Sequence, residues 1–568
     1  MPSAITNIQY FNEKFPVPLS SKGMSYQFLR LENGLMVLII SDPTEQISAA
    51  SLSVATGHHA DPDGMSGLAH LCEHMICVSS KEHPEIDKYK KKVYEAGGTC
   101  NAVTVSERTS FFFSLPTNKS DKFAEILEIY ASYFRNPLFN SDYANREIIA
   151  IDNEHEKNVT RRSRKCFQGL RLLSNKNCEF HRFSTGNYDT LNHLVSGNDV
   201  TDALREFFNT EYLPNRMALT IRSPLSLNQI KKLVISNFSE LSHVPSKGML
   251  HIFKKPSKKP ISSSISVHSI YQLHIAENVW LPRYRELPFR PKDLARSILI
   301  NSPETDPLIR VDFIVKKNTP NLTTKELAVF KSFWCNILGS ESEGSLYNAL
   351  ISKQYITELI TGGNFISSTT TCLEIQLKLT TLGINNTIEV LQYLLSCISS
   401  ICDDNNQQQV LQIAKMLSQH NGIELYNFYH SELNINTAGS IRSLSERLLL
   451  SFAGCSQWFF SGSPNFDFED KGFHGAFEEG DHCKQFWIYE AKRFMRFVRQ
   501  NCVPENMALC IACNKRLWNN LDWSLEEESG VDMHYRFDYS IRNITLSKLI
   551  MKNHTNKEYH FALPGTNK

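Results

Sequence analysis

The sequence lacks the features that mark membrane proteins and nucleic-acid-binding proteins. No apolar run approaches the roughly 20 residues that a membrane-spanning helix needs, and the run at 34–40 is only long enough for a strand. The formal net charge of +1 excludes bulk electrostatic attraction to nucleic acid or anionic lipid. The first six residues have neither the apolar core nor the arginine-rich pattern of a targeting peptide. We therefore expect no membrane span and no nucleic-acid partner.

Cysteine is also too sparse to build a disulfide scaffold, since the chain has 14 cysteines in 568 residues. Reduced thiols and a cytoplasmic location are therefore expected. The composition, 41% hydrophobic and 21% charged, is that of a globular protein whose length allows about two to four domains.

The segment HLCEH at residues 70–74 is the most informative stretch of the chain. Side chains four apart share one face of a helix, so the imidazoles of His70 and His74 can reach one metal ion. Glu73 projects close to that ion without binding it, where it can take a proton from a water molecule. The alternative is a surface helix that happens to carry two histidines.

The surrounding sequence favours the metal site over that alternative. A strong turn at 61–64 precedes Ser66, which is a candidate cap for a largely apolar helix over 67–78. Charged groups on a buried helix need partners, and a metal supplies one.

A third ligand is expected near residues 146–156. Glu147 and Glu154 are seven apart, which is two helical turns, and Ile148 and Ile151 give the same helix an apolar stripe. A solvated acidic face is the alternative. The pattern instead indicates one metal ligand and one outer carboxylate that orients an imidazole.

The order of predicted elements indicates an α+β fold with two repeated domains, each a mixed sheet with helices packed on one face. The predicted domains are 1–250, which carries the metal motif, and 291–530, which lacks it. A Lys/Ser/Pro-rich linker is predicted at 251–290, and a last strand near Asn514, followed by a tail at 531–568.

These motifs resemble the pitrilysin and insulin-degrading-enzyme family of zinc peptidases. In that family H-x-x-E-H is followed some eighty residues later by E-x6-E, and here His74 to Glu154 spans 80 residues. The resemblance implies one Zn²⁺ per chain, with His70, His74 and Glu154 as ligands. It also implies that Glu73 is the general base and Glu147 the outer carboxylate.

The resemblance extends along most of the chain. Segments 97–102, 183–187 and 339–346 resemble family blocks in the same order, with Ser342 where the family has a glycine, and 361–363 resembles the glycine pair of the family's exosite strand. The family's edge strand and exosite bind substrate. By the match, the substrate-binding residues are Asn101, Ala102, Gly362 and Gly363.

The implied function is zinc-dependent endopeptidase cleavage of peptides or small proproteins. Within the family, the likeness is to the fungal branch that matures the a-factor pheromone and acts in bud-site selection. That likeness suggests the cell cortex or bud neck as a location. Full-length members also carry a second half, and the tail at 531–568 resembles the joint to it. The alternative function is a weak or inactive half that acts as a scaffold and needs a partner half.

Two cysteine features have competing interpretations. Cys510 and Cys513 form a lone C-x-x-C, but the surrounding residues predict a buried strand in which the two thiols point to opposite faces. Cys72 lies inside the metal motif, where it is either an alkylation-sensitive thiol or a buried inert one.

Overall fold

The computed structural model describes residues 9–11, 17–116, 120–192, 200–241, 286–316, 324–431, 437–451, 476–521, 524–549 and 563. Of the predicted linker, all but 286–290 lies outside these residues, as do 550–562 and 564–568 of the predicted tail. The described residues form two compact units. Those of the first fall within Met1–His155, Phe183–Arg283 and Phe428–Gly462, and those of the second within Glu156–Arg182, Tyr284–Asn427 and Ser463–Lys568.

Strands are numbered along the chain. They are β1 (Gln9–Phe11), β2 (Ser25–Arg30), β3 (Met36–Ser41), β4 (Ile47–Val54), β5 (Thr99–Thr104), β6 (Thr109–Pro116), β7 (Met217–Ser223), β8 (Arg296–Asn301), β9 (Leu308–Lys316), β10 (Ile356–Gly362), β11 (Phe365–Ser367), β12 (Thr370–Leu379), β13 (Met507–Cys513), β14 (Ser524–Val531) and β15 (Asp538–Ile544).

Helices follow the same convention. They are α1 (Leu68–Ile76), α2 (Lys88–Glu95), α3 (Ser120–Arg135), α4 (Ser141–Val159), α5 (Arg162–Leu173), α6 (Tyr188–Asn192), α7 (Val200–Glu211), α8 (Leu227–Phe238), α9 (Thr324–Leu338), α10 (Leu346–Ser352), α11 (Thr381–Asn385), α12 (Thr387–Ile401), α13 (Gln407–Tyr429), α14 (Thr437–Ser451), α15 (Asp481–Asn501) and α16 (Leu546–Leu549). Across the described ranges, no helix combines the length and apolarity that a membrane crossing requires.

The two sheets have the same strand order. The first runs β1-β2-β3-β7-β4-β6-β5, and the second, read from its other end, runs β14-β15-β8-β13-β9-β12-β10. In each, one central pair is parallel (β3 with β7, β8 with β13) and the other neighbours in this order are antiparallel. The predicted α+β class with a repeated domain is therefore confirmed.

The outer hairpin of each sheet comes from opposite ends of the sequence. In the first unit it is β1–β2, before the rest of the sheet, whereas in the second it is β14–β15, after the rest. The prediction that the last strand ends near Asn514 is therefore wrong. Strands β14 and β15 follow it in the sequence, and β15 pairs with β8. Residues 531–544 of the predicted tail belong to this hairpin.

The first sheet is covered on both faces. Ala50, Leu52 and Val54 of β4 belong to the main core, together with apolar residues of α1, α3 and α7. The alternate residues Ser51 and Ser53 point the other way, and their hydroxyls bond that of Ser445 on α14 at 2.8 and 2.7 Å. The expectation of helices on one face is therefore incomplete.

The second sheet has a corresponding extra helix. Leu299 of β8 lies in its main core. Its neighbours Ile298 and Ile300 contact α5, where a Cβ added at Gly169 would lie 2.8 Å from Ile300 Cδ1 and 3.2 Å from Ile298 Cγ2. Each unit thus takes one helix from a stretch of sequence that otherwise builds the other unit.

Candidate metal centre

The motif helix is α1, and its start differs from the prediction. The N-cap residue is Gly67, with φ of +96°, and Ser66 does not cap the helix. Instead, the buried carboxylate of Asp61 accepts hydrogen bonds from the backbone N–H groups of Gly67 and Ala69, each at 2.7 Å. A charged acceptor at this position satisfies amides that have no partner within the helix.

The structure brings His70, His74 and Glu154 together. One ligand atom from each lies within 4.8 Å of the other two. The Nε2 atom of His70 is 3.6 Å from an Oε2 oxygen of Glu154, which projects from α4. The two imidazole rings are 4.8 Å apart, centroid to centroid, and nearly perpendicular.

The opposite nitrogen of each imidazole is already engaged. Nδ1 of His70 donates to the Thr185 carbonyl at 2.8 Å, and Nδ1 of His74 donates to Oε2 of Glu147 at 2.7 Å. These bonds set the tautomer of each ring and leave both Nε2 atoms as acceptors, which is the form that binds a metal.

The electrostatics of His74 and Glu147 follow from this pair. Burial by itself lowers the pKa of His74, but the hydrogen bond to Glu147 and the charges of Glu73, Glu147 and Glu154 outweigh burial and raise it. The hydrogen bond to His74 in turn lowers the pKa of the Glu147 carboxyl. Glu147 is therefore ionised at neutral pH, and without a metal the imidazole holds a proton more tightly than usual.

Glu73 lies on the same helix and is 8% exposed. Its Oε2 atom is buried and has no hydrogen-bond partner among the described residues. An unpaired buried carboxylate oxygen is costly unless a water molecule or a cation accompanies it. Two imidazole nitrogens with one carboxylate oxygen are a donor set that catalytic zinc sites use. The residues present therefore fit a zinc ion with a water molecule beside Glu73.

A second cluster of side chains with possible metal-binding atoms lies in the second unit, but its carboxylates are paired with an arginine. Asp312, Cys372 and Glu374 also bring ligand atoms within 4.8 Å of one another, and all three are buried. The Arg310 guanidinium pairs with Asp312 at 2.7 Å and with Glu374 at 3.1 Å. Because one guanidinium already pairs with both carboxylates, we interpret the cluster as a structural ion-pair network.

The predicted substrate strand β5 is the outermost strand of the first sheet, and α1 packs beside it. Asn101 is exposed and Ala102 is half-buried. The backbone N–H of Ala102 donates to the side-chain Oδ1 of Asn101 at 2.9 Å. The backbone N–H of Ala102, on the edge strand, is therefore bonded to the side chain of the preceding residue.

The predicted exosite glycines lie in the second unit, at the end of its outermost strand β10. The carbonyl of Gly363 accepts from Nζ of Lys331 at 2.7 Å. A Cβ at Gly363 would lie 2.3 Å from the Cys372 carbonyl oxygen, whereas a Cβ at Gly362 would meet nothing within 4 Å. Only Gly363 is thus required to be glycine by packing within the chain.

The two cysteine features are both buried. Cys510 and Cys513 lie on β13, and only Cys513 belongs to the main core of its unit, as expected for thiols on opposite faces. Cys72 is fully buried, and burial raises the pKa of its thiol well above the ordinary value. This favours an inert thiol inside the motif.

Two residues that contact the site were not predicted from the sequence. Asp61 was assigned only to a turn, although an Asp-Pro pair ahead of an apolar helix is a usable signal for a cap. Thr185 lies in the block at 183–187, but it acts through its backbone carbonyl, which leaves no trace in side-chain chemistry.

Comparison with known proteins gives two family matches. A model described as Insulinase (Peptidase family M16) matches residues 36–173, and one described as Peptidase M16 inactive domain matches residues 200–417. The first match contains all three clustered ligands and Glu73, and the second begins after them.

Individual relatives agree with these matches. The chain is 28% identical over 591 residues to "Putative protease AXL1" of Saccharomyces cerevisiae, covering 99% of this chain and 48% of that protein. It is 27% identical over 398 residues to "A-factor-processing enzyme" of the same organism, covering 70% and 35%. The crystal structure of pitrilysin matches with a TM-score of 0.70 at 19% identity, over 96% of this chain and 49% of that one, which supports the fold. The chain spans about half or less of the length of these proteins.

Proposed function

Because this chain belongs to the insulinase family, we propose that it is the zinc-binding part of an endopeptidase that cleaves peptides or small proproteins. The observation that carries this proposal is the convergence of His70, His74 and Glu154, each imidazole being held by its far nitrogen. Such ordered ligands with a free carboxylate alongside are the arrangement that hydrolytic zinc sites need.

Each residue then has a defined part in the reaction. His70, His74 and Glu154 would hold the zinc, and Glu147 and the Thr185 carbonyl would keep the imidazoles in the tautomers that bind it. A zinc ion held there would supply Lewis-acid chemistry, which polarises a carbonyl and acidifies a water molecule. Glu73 accepts the proton of the attacking water at its unpartnered carboxylate oxygen and delivers it to the leaving amine.

Substrate would bind as an added strand along β5, whose outer edge has no strand partner in the described sheet. The Ala102 N–H is the natural donor to a peptide carbonyl, and Asn101 would release it on binding. Gly362 and Gly363 are proposed to anchor the N-terminal end of the peptide.

The more specific substrate rests on similarity alone. The relative named as an a-factor-processing enzyme supports N-terminal processing of a pheromone precursor as the candidate reaction. A role in bud-site selection, and a cytoplasmic location at the cortex or bud neck, are proposed with it.

A second candidate is a scaffold subunit that binds peptide but needs a partner half for turnover. It is compatible with the match of residues 200–417 to the family model described as Peptidase M16 inactive domain.

A quenched-fluorescence peptide assay on the purified chain, with zinc analysis, tests both candidates. The peptidase proposal predicts chelator-sensitive cleavage. Glu73→Gln should keep zinc and lose about 10² to 10⁴ of the rate, and Glu154→Ala should lose zinc. Zinc-dependent peptide binding without cleavage would select the scaffold. A native chain that binds no zinc would contradict both.

A further inference from the structure

The start of α1 is held by a residue outside the helix. The Asp61 carboxylate uses one oxygen for the N–H of Gly67 and the other for that of Ala69. Asp61 is 2% exposed, so these bonds form in a region where a displaced carboxylate would be poorly solvated. His70 is the residue directly after Ala69, so this clamp fixes the backbone that carries it.

A second contact fixes the partner of His70. Gly67 and Gly186 meet backbone to backbone, because a Cβ added at Gly186 would lie 2.8 Å from the Cα of Gly67 and one added at Gly67 would lie 2.3 Å from the Cα of Gly186. Both glycines have positive φ, +96° and +77°. Thr185, the residue before Gly186, supplies the carbonyl that accepts from Nδ1 of His70.

The two imidazoles are therefore oriented by different means. His74 depends on one side chain, Glu147, projecting from α4. His70 depends on the backbone carbonyl of Thr185. The position of that carbonyl is set by how closely the segment 183–187 approaches the start of α1. A carbonyl cannot adjust by changing rotamer, so its distance from Nδ1 follows that approach directly.

We propose that Asp61 and the Gly67–Gly186 contact are positioning elements for His70. They hold the first turn of α1 and the segment 183–187 at the separation at which the Thr185 carbonyl aims Nε2 of His70 at the metal position. This inference rests on the proposed function, since it assigns these residues a part in zinc binding.

The test compares Gly186→Ala and Asp61→Asn with a matched control, Gly64→Ala, in the full chain. Gly64 also has positive φ, +80°, but its added Cβ would meet nothing within 4 Å. The control thus carries the same backbone strain without the steric contact. Zinc dissociation constants are measured by competition with a chromophoric chelator, and Co²⁺ absorption spectra report the coordination geometry. Thermal unfolding of the metal-free chains verifies folding.

We expect Gly186→Ala to weaken zinc binding by about tenfold or more relative to Gly64→Ala and to alter the Co²⁺ spectrum. Asp61→Asn adds no atoms, so it decides the question if the alanine variant does not fold. Both variants binding zinc within about threefold of the control, with an unchanged Co²⁺ spectrum, would overturn the inference. In that case native zinc binding and its loss in Glu154→Ala would leave the proposed function standing. A native chain without zinc binding would remove both.

Discussion

The hydrogen bond between Glu147 and His74 leads to a quantitative prediction about zinc affinity. Glu147→Gln keeps an acceptor near Nδ1 but removes the negative charge, and Glu147→Ala removes both. Changes to such outer partners cost about 10- to 100-fold in metal affinity, or about 1.4 to 2.7 kcal/mol. We expect the glutamine variant near the lower end of this range and the alanine variant near the upper end.

The pH dependence gives this prediction a distinctive sign. Zinc needs the neutral imidazole, so it competes with a proton whose hold on His74 is strengthened, because the pKa is raised by Glu147 and the other carboxylates. Removing the charge of Glu147 lowers that pKa. As pH falls from 8 to 6, zinc affinity should decline in the native chain before it declines in Glu147→Gln. The difference in zinc affinity between the native chain and Glu147→Gln should therefore become smaller as the pH falls.

The measurement is a zinc competition titration at several pH values. The matched control is Glu128→Gln, which alters a similar carboxylate–imidazole pair, Glu128 with His83 at 2.8 Å, away from the clustered ligands. The control should leave zinc affinity unchanged. Equal affinities for Glu147→Gln and the native chain at pH 8, or a difference that widens toward pH 6, would refute the reasoning.

Three further predictions concern stability and reactivity. Hydrogen bonds from Arg222 and Thr44 outweigh burial and lower the pKa of Asp42, so the stability it adds is present above about pH 4 and lost as pH falls through the lowered value. Asp42→Asn should therefore cost about 1.5 to 3 kcal/mol at pH 7 in urea unfolding, because the buried Arg222 loses one carboxylate partner and keeps another, Glu45 at 2.8 Å; the loss should be smaller at pH 3, and an equal loss at both pH values would contradict this. Tyr130→Phe should cost about 1 to 3 kcal/mol, since the hydroxyl of Tyr130 accepts from the Leu52 amide and donates to the Phe111 carbonyl inside the core; a neutral change would count against those bonds. Iodoacetamide should label buried Cys72 in the native chain far more slowly than the partly exposed Cys483, as judged by mass spectrometry; comparable rates would show that the motif helix opens readily.

The parts of the site that lie within one helix could be predicted from sequence. The spacing of His70, Glu73 and His74 specifies a shared face once the segment is helical, and α1 is helical over all three. The same holds for Glu147 and Glu154 on α4. Local periodicity carries this information because a helix relates residues at fixed offsets.

Features that join distant segments could not be predicted in this way. The Thr185 carbonyl that orients His70 lies 115 residues further along the chain, and because it is a backbone atom the side-chain types do not reveal it. The β14–β15 hairpin includes three successive glutamates, Glu526 to Glu528, which interrupt the apolar alternation that would predict a strand. At a sheet edge such charges are compatible with a strand, and only the pairing with β8 reveals it.

The exchange of helices between the units has a practical consequence for dividing this protein into fragments. A fragment ending at residue 241 would contain the clustered histidines and Glu154 but not α14, leaving the hydroxyls of Ser51 and Ser53 without their helical lid. The complementary fragment would lack α5 and bare the isoleucines of β8. Dividing the chain near its midpoint should therefore yield two fragments that aggregate when each is expressed alone. Co-expression of the two fragments should restore their solubility.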